Sequence, residues 1–276
     1  MITLKNGKKL EFLLASGMMG FDGKGATWAY KILYKFLGKL GLFDPKLFTI
    51  ITKTITLPRL KGCKKIRPIK DGWWNNYGLD NPGLTGFLNR YIPAIRKIDN
   101  VIISIAVDNK DDLEIIANSL NVLLPNLAAI EFNVSCPNFK MDFSTKNIIT
   151  LCYHLFKSSK FPIILKIGAD NEYLQIARMT EQIVVAIDIN SVPFGNGAIS
   201  GKRIQPLNWR ILRELVDSTS TPIIGPSIWN YEDIEKLFFL GAKAVSFGSV
   251  SMIHPDKLFG PILPTKWTTM YKEERG

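Results

Sequence analysis

Eight short runs rich in Val, Ile and Leu recur along the chain, separated by helix-length amphipathic segments. They are Glu11-Phe-Leu-Leu-Ala15, Phe48-Thr-Ile-Ile-Thr-Lys53, Val101-Ile-Ile-Ser-Ile-Ala106 and Ala129-Ile-Glu-Phe-Asn-Val134, then Ile163-Ile-Leu-Lys-Ile167, Val184-Val-Ala-Ile-Asp-Ile189, Pro222-Ile-Ile224 and Ala244-Val-Ser-Phe247. Strands that are apolar nearly throughout are buried on both faces, which describes a parallel sheet covered by helices. Helices are expected near 26–38, 82–97, 110–122, 145–158, 172–182, 206–217 and 230–240. Eight strands at this spacing predict an α/β fold of the (β/α)8 TIM-barrel type. An open doubly wound sheet would carry a glycine-rich turn after its first strand, and Ala15-Ser16-Gly17 is not GxGxxG. With no Ser/Gly-rich linker and no shift in composition, residues 1–276 are expected to form a single barrel domain.

Hydrophobic residues make up 46% of the 276 and charged residues 21%, enough for a sizeable core, which excludes disordered and collagen-like classes. Three cysteines (Cys63, Cys136, Cys152) share no CxxC spacing, and only His154 and His254 stand beside them as soft ligands, so no metal site is expected. Both histidines are assigned to structure. The odd thiol count fits a reducing cytoplasm. No apolar run is long enough to span a bilayer, so no membrane partner is expected. Lys8-Lys9 followed by Phe12 to Phe21 faintly resembles a signal peptide, but Glu11 interrupts it and no A-x-A site follows.

The charge balance is 35 Lys+Arg against 24 Asp+Glu, a net +11. The lysines are scattered, with no basic tract and no tryptophan spacing that suggests base stacking. A basic surface that attracts a small anionic ligand is more economical than nucleic-acid binding.

In a barrel of this type the chemistry collects at the C-terminal ends of the strands. Asn133-Val-Ser-Cys-Pro-Asn138 falls there, after the fourth run. Its asparagines can pair with an imide or amide ring, and Cys136 is either a base or nucleophile or a buried structural thiol. Lys53 ends the second run and Lys166 lies in the last half of the fifth, where each either faces solvent or points into the barrel mouth toward an anion. Trp74-Asn-Asn-Tyr-Gly-Leu-Asp-Asn-Pro82 has the composition of turns. Gly197-Ala-Ile-Ser-Gly201, Gly225-Pro-Ser227 and Gly248-Ser249 are small-residue loops whose backbone N–H groups suit a phosphate.

Taken together these stretches resemble the dihydroorotate dehydrogenases, flavin enzymes of pyrimidine synthesis. Asn133-Val-Ser-Cys-Pro-Asn138 has the form of that family's active-site segment. The likeness continues, in family order, through Ala15-Ser16-Gly17, Thr52-Lys53-Thr54, Asn75-Asn-Tyr-Gly-Leu79, Leu165-Lys166, Ile189-Asn-Ser191, Gly197-Ala-Ile-Ser-Gly201 and Phe247-Gly-Ser249. The resemblance implies an FMN-binding barrel that oxidises dihydroorotate to orotate. Cys136 would remove the C5 proton while C6 gives a hydride to flavin N5. A cysteine there points to the soluble class. Asn75, Asn133, Asn138, Asn190 and Ser191 would hold the pyrimidine, with the backbone at Tyr77, Gly78 and Leu79, and Lys53 would serve substrate and flavin alike. Ala15, Ser16, Thr54, Asn133, Ile189 and Gly201 would line the flavin. Lys166 would stabilise charge on the reduced ring, and Gly225, Ser227, Gly248 and Ser249 would surround the phosphate. The resemblance also implies a homodimer and, in NAD-linked relatives, an electron-transfer partner subunit; three scattered cysteines could not hold such a cluster here.

The chain departs from the family at several points. Gly225-Pro-Ser-Ile228 replaces the usual Gly-Gly pair, Ala198 replaces a glycine, and the segments after Asn138 and between Ser191 and Gly197 are short. Two rivals follow: a flavin-dependent reductase of another dihydropyrimidine, such as a tRNA dihydrouridine synthase, or a barrel that only binds ligand.

Overall fold

The computed structural model describes residues 1–136, 142, 144–169 and 172–258. Eight strands close into a parallel barrel. They are β1 (Phe12–Leu14), β2 (Thr49–Ile51), β3 (Val101–Ile105), β4 (Ala129–Asn133), β5 (Ile163–Ile167), β6 (Ala186–Ile189), β7 (Ile223–Gly225) and β8 (Ala244–Phe247). Each pairs with its sequence neighbours, and β8 pairs with β1 through Val245↔Phe12 to close the ring. The helices are α1 (Trp28–Lys39), α2 (Gly83–Ile95), α3 (Lys110–Leu123), α4 (Thr145–Ser158), α5 (Tyr173–Thr180), α6 (Gln205–Ser218), α7 (Tyr231–Phe239) and α8 (Ser249–Ile253). Every predicted strand and helix is present within a few residues of its expected limits; the five-residue α8 was not foreseen.

Local chemistry explains the helix starts. The Asn109 side chain accepts from Asp112 N at 2.8 Å at the head of α3, where Asp111 and Asp112 face the positive helix end. Asp233 Oδ2 accepts from Asn230 N at 2.8 Å and closes a capping box on α7.

Period-two alternation divides the strand side chains between two cores. Ile103, Ile130, Phe132, Leu165 and Ile187 face the helix layer. Leu13, Ile51, Ile102, Ala129, Ile164, Ala186, Ile224 and Ala244 fill the lower barrel, which the hairpin Ile2–Thr3 and Lys9–Leu10 closes from beneath with Ile2, Leu4 and Leu10. The upper interior is polar.

Two sequence readings need correction. Trp74, Asn75 and Asn76 belong to a strand, Gly72–Asn76, and Gly197–Gly201 is a strand rather than a loop. With Lys65–Ile69 and Val192–Phe194 they form a four-stranded antiparallel sheet. Glycines, asparagines and lysines mask this sheet because its strands never enter an apolar core. One close approach lies at Gly201, whose φ is +109° and where a Cβ would stand 2.4 Å from the Asp71 carbonyl oxygen. Gly201→Ala is expected to destabilise the protein by about 1–3 kcal/mol, from the unfavourable backbone conformation and the forced displacement of the adjoining strand. A fall in the thermal unfolding midpoint checks this.

Candidate active site

Above the polar half of the barrel lies a cavity of about 400 Å³, within the range of small-molecule sites. Its floor holds Thr54, Asn133, Lys166 and Asp188. The end of β1 supplies Ala15 and Ser16, and the end of β2 supplies Lys53. The end of β6 contributes Ile189, Asn190 and Ser191, and Cys136 follows β4. The antiparallel sheet and the segment after it contribute Asn75, Tyr77, Gly78, Leu79 and Gly201. Ser227, Gly248 and Ser249 close the far side. Of the sequence-predicted site residues, Gly225 is not on the wall: Ile224 points inward, so Gly225 faces outward, where a Cβ would meet Leu237 at 3.1 Å. Pro226 and Ser227 take the wall position instead. Asn138, and the segment 139–143 apart from Asp142, lie outside the described residues.

Neutral amides are fixed by one another. Asn190 Nδ2 donates to Ser135 Oγ at 2.6 Å, Ser135 Oγ donates to Asn133 Oδ1 at 2.7 Å, and Asn133 Nδ2 donates to Thr54 Oγ1 at 3.0 Å. Buried polar side chains locked this way present fixed donors and acceptors to a ligand. The turn reading of Asn81 is apt: it is buried, donates to Leu79 O at 2.7 Å and accepts from Gly83 N at 2.8 Å, which anchors the Tyr77–Leu79 wall.

Lys53 is half-buried, its Nζ 3.9 Å from the centre of the Tyr77 ring. Desolvation lowers its pKa to about 8, against the attraction of Asp80. Lys166 lies between two carboxyl groups, 2.9 Å from Asp188 Oδ2 and 3.5 Å from Glu131 Oε2. Desolvation acts to lower its pKa, but the carboxyl groups, Asp188 foremost, outweigh it and raise it. Cys136 is half-buried at the cavity wall, whereas burial within α4 pushes the Cys152 thiol up and leaves it remote from the cavity.

The sequence did not single out Asn208 and Trp73, which also line the cavity. Asn208 Nδ2 donates to Ser227 Oγ at 3.0 Å and to Asn190 O at 3.2 Å. Its Oδ1, and Trp73 Nε1, are buried without a partner among the described residues. Orphaned polar atoms in the wall of a cavity are the mark of a ligand that completes them. Ser227, in a left-handed conformation (φ +64°) where a glycine would rest without strain, is held by the bond from Asn208 and by Gln205 Nε2 donating to its carbonyl at 2.8 Å. A planar ring system with amide edges and an anionic tail fits this donor set, with Lys166 below and the small-residue segments at Ser227 and Gly248-Ser249 at one end.

Comparison with known proteins agrees with that geometry. A family model described as dihydroorotate dehydrogenase matches residues 11–262. A protein of Desulforudis audaxviator named dihydroorotate dehydrogenase B (NAD(+)), catalytic subunit, is 27% identical over 92% of this chain and 85% of its own. Proteins of the same name from Petrotoga mobilis and Caldicellulosiruptor bescii are 31% and 30% identical over 76% and 75% of this chain, and 78% and 76% of their own. The match spans all eight barrel strands and the cavity they carry, and the chain belongs to the dihydroorotate dehydrogenase family.

Proposed function

We propose that this chain oxidises dihydroorotate to orotate, a step of pyrimidine biosynthesis, with flavin mononucleotide as its cofactor and Cys136 as its base. The observation that carries the reading is the meeting, in one cavity, of Cys136, the locked amides Asn133 and Asn190, and the buried cation Lys166. Ala15, Ser16, Thr54, Ile189 and Gly201 would hold the flavin ring, with Ser227, Gly248 and Ser249 at its phosphate. Bound there, the flavin supplies the acceptor for the two electrons that leave C6 as hydride.

The remaining work falls to the protein. Cys136 takes the proton from C5, so that loss of a proton and a hydride creates the double bond. Asn75, Asn133 and Asn190 pair with the ring's amide edges, with Ser191 and Asn138 assigned beside them, and hold C5 toward the thiol. Lys53 attracts the substrate carboxylate. Since Lys53 is a cation below about pH 8 and neutral above, KM for dihydroorotate is expected to rise as pH passes through about 8. A Lys53→Met variant should show a raised KM without that inflection.

The relatives are named as catalytic subunits of an NAD(+)-linked enzyme, which supports a separate electron-transfer subunit as partner, and a homodimer is part of the same reading. No helix among the described residues is long and apolar enough to cross a membrane, and we place the protein in the cytoplasm. An anaerobic absorbance spectrum before and after L-dihydroorotate tests the assignment: a yellow protein that bleaches is expected. A yellow protein that stays oxidised would keep the flavin and discard the substrate.

A further inference from the structure

The barrel interior changes character between one inward layer and the next. Ile102, Ala129, Ile164 and Ala186 belong to the lower core, and two residues further along the same strands stand Ser104, Glu131, Lys166 and Asp188. Strand register sets Glu131 opposite Ser104 and Asp188 opposite Lys166. The Lys166, Glu131 and Asp188 side chains are 6%, 0% and 2% exposed. One cation therefore faces two carboxyl groups in a region almost shut off from water, touching the cavity floor only through Lys166 and Asp188. With both ionised the cluster would carry an uncompensated negative charge, which a low-dielectric interior strongly disfavours.

The remedy is a proton, and the geometry says where it belongs. Lys166 Nζ is nearer Asp188 than Glu131, at 2.9 against 3.5 Å. Glu131 Oε2 is fully enclosed with Lys166 Nζ only at 3.5 Å, while its Oε1 accepts from Ser104 Oγ at 2.6 Å. An ionised carboxyl whose countercharge is this distant is costly in such an interior, and protonation removes the charge. We propose that Glu131 holds a proton while Asp188 stays ionised beside Lys166, and that this buried site exchanges its proton as the charge in the cavity above it changes.

A route for that proton is present. Ser104 Oγ lies 2.8 Å from Thr54 Oγ1, and Thr54 Oγ1 lies 3.3 Å from Ser16 Oγ on the cavity wall. These hydroxyls form an unbroken chain from the cavity to Glu131, each able to donate and accept. Desolvation and the neighbouring Asp188 raise the pKa of Glu131 to about 7, against the pull of Lys166. Among the described residues the other elements around the cluster bring no competing charge: β3 presents Ser104 and β8 presents Ser246, while Lys53 and Lys64 on the cavity wall face Asp80. The resting proton rests on the cluster alone; its exchange with the cavity rests on the flavin reading above.

Infrared spectroscopy of the purified protein tests the first part without substrate. A deuterium-sensitive C=O stretch of a protonated carboxyl is expected below about pH 7, fading as pH rises. It should vanish in Glu131→Gln, and in Asp188→Asn, where Lys166 has one carboxylate left to neutralise. Absence of the band from the wild type, or its survival in Glu131→Gln, overturns the assignment; if a variant does not fold, the wild-type titration still decides. For the second part, photoreduction of the flavoprotein in weak buffer just above pH 7, where Glu131 has given up its resting proton, should take up more protons per flavin in the wild type than in Glu131→Gln, as read by a pH indicator. Equal uptake overturns the exchange. A protein without flavin overturns the functional reading and leaves the infrared result standing.

Discussion

Cys136→Ala is expected to slow substrate oxidation by about 10²–10⁴-fold, the usual contribution of a positioned base, while the protein stays yellow. The two effects separate because Cys136 is one half-buried side chain on the segment after β4, whereas the flavin contacts proposed here are spread over β1, β2, β6, β8 and the antiparallel sheet. Truncation to alanine removes the proton acceptor and leaves the locked amides Asn133 and Asn190 in place. The loss should therefore fall on kcat, with KM changed little, since a group that acts only as the proton leaves contributes to the transition state rather than to binding. Rapid mixing with dihydroorotate under anaerobic conditions reads it directly, as the rate of flavin bleaching at saturating substrate. A variant that bleaches at the wild-type rate would remove Cys136 from the chemistry. One that arrives colourless would show instead that the segment after β4 supports the cofactor.

The barrel was legible because its strands are apolar on both faces, a pattern that few other arrangements tolerate. Ile163–Ile167 and Ala244–Phe247 match their expected limits residue for residue. The antiparallel sheet over the mouth was not legible, since Lys65–Ile69 is exposed along most of its length and Gly197–Gly201 pairs with a strand more than a hundred residues earlier. Such a strand is specified by its partner, not by its own pattern. The same limit governs the site. Lys53 and Lys166 stand out in sequence because lysines interrupt apolar runs. Glu131 interrupts one as well, yet its meaning depends on which residues of β3 and β5 lie beside it, and register is invisible in a single strand. Asn208 projects from α6, where an asparagine carries no local signal at all. Gly225 was misplaced by one step of the strand alternation: Ile224 takes the inward position and sends the glycine to the helix layer.

Lys166→Met should destabilise the protein by about 3–5 kcal/mol at neutral pH, far more than Glu131→Gln or Asp188→Asn. The asymmetry follows from counting charges in the cluster. Removing either carboxyl leaves one lysine and one carboxylate, a neutral pair in an otherwise intact interior. Removing the lysine leaves two buried carboxyl groups and nothing to compensate them. The pH dependence gives the sharper test. In the wild type the folded pKa of Glu131 is raised to about 7 from an ordinary value of 4.5, so the folded state binds more protons than the unfolded chain between those values. Its contribution to stability is thus present below about pH 4.5 and is lost as pH rises toward about 7. Without Lys166 neither carboxyl has a countercharge, and Glu131 loses the one influence that chiefly opposes its upward shift, so the loss on raising pH should steepen and extend to higher pH. Lowering the pH should then restore much of the deficit in Lys166→Met, because protonating both groups removes the buried charge that the lysine had balanced. Denaturant unfolding across the acid to neutral range reads this as a gap between variant and wild type that narrows as protons are added. A gap that stays constant with pH would mean that the lysine contributes by packing its stem, and that the two carboxyls do not depend on its charge.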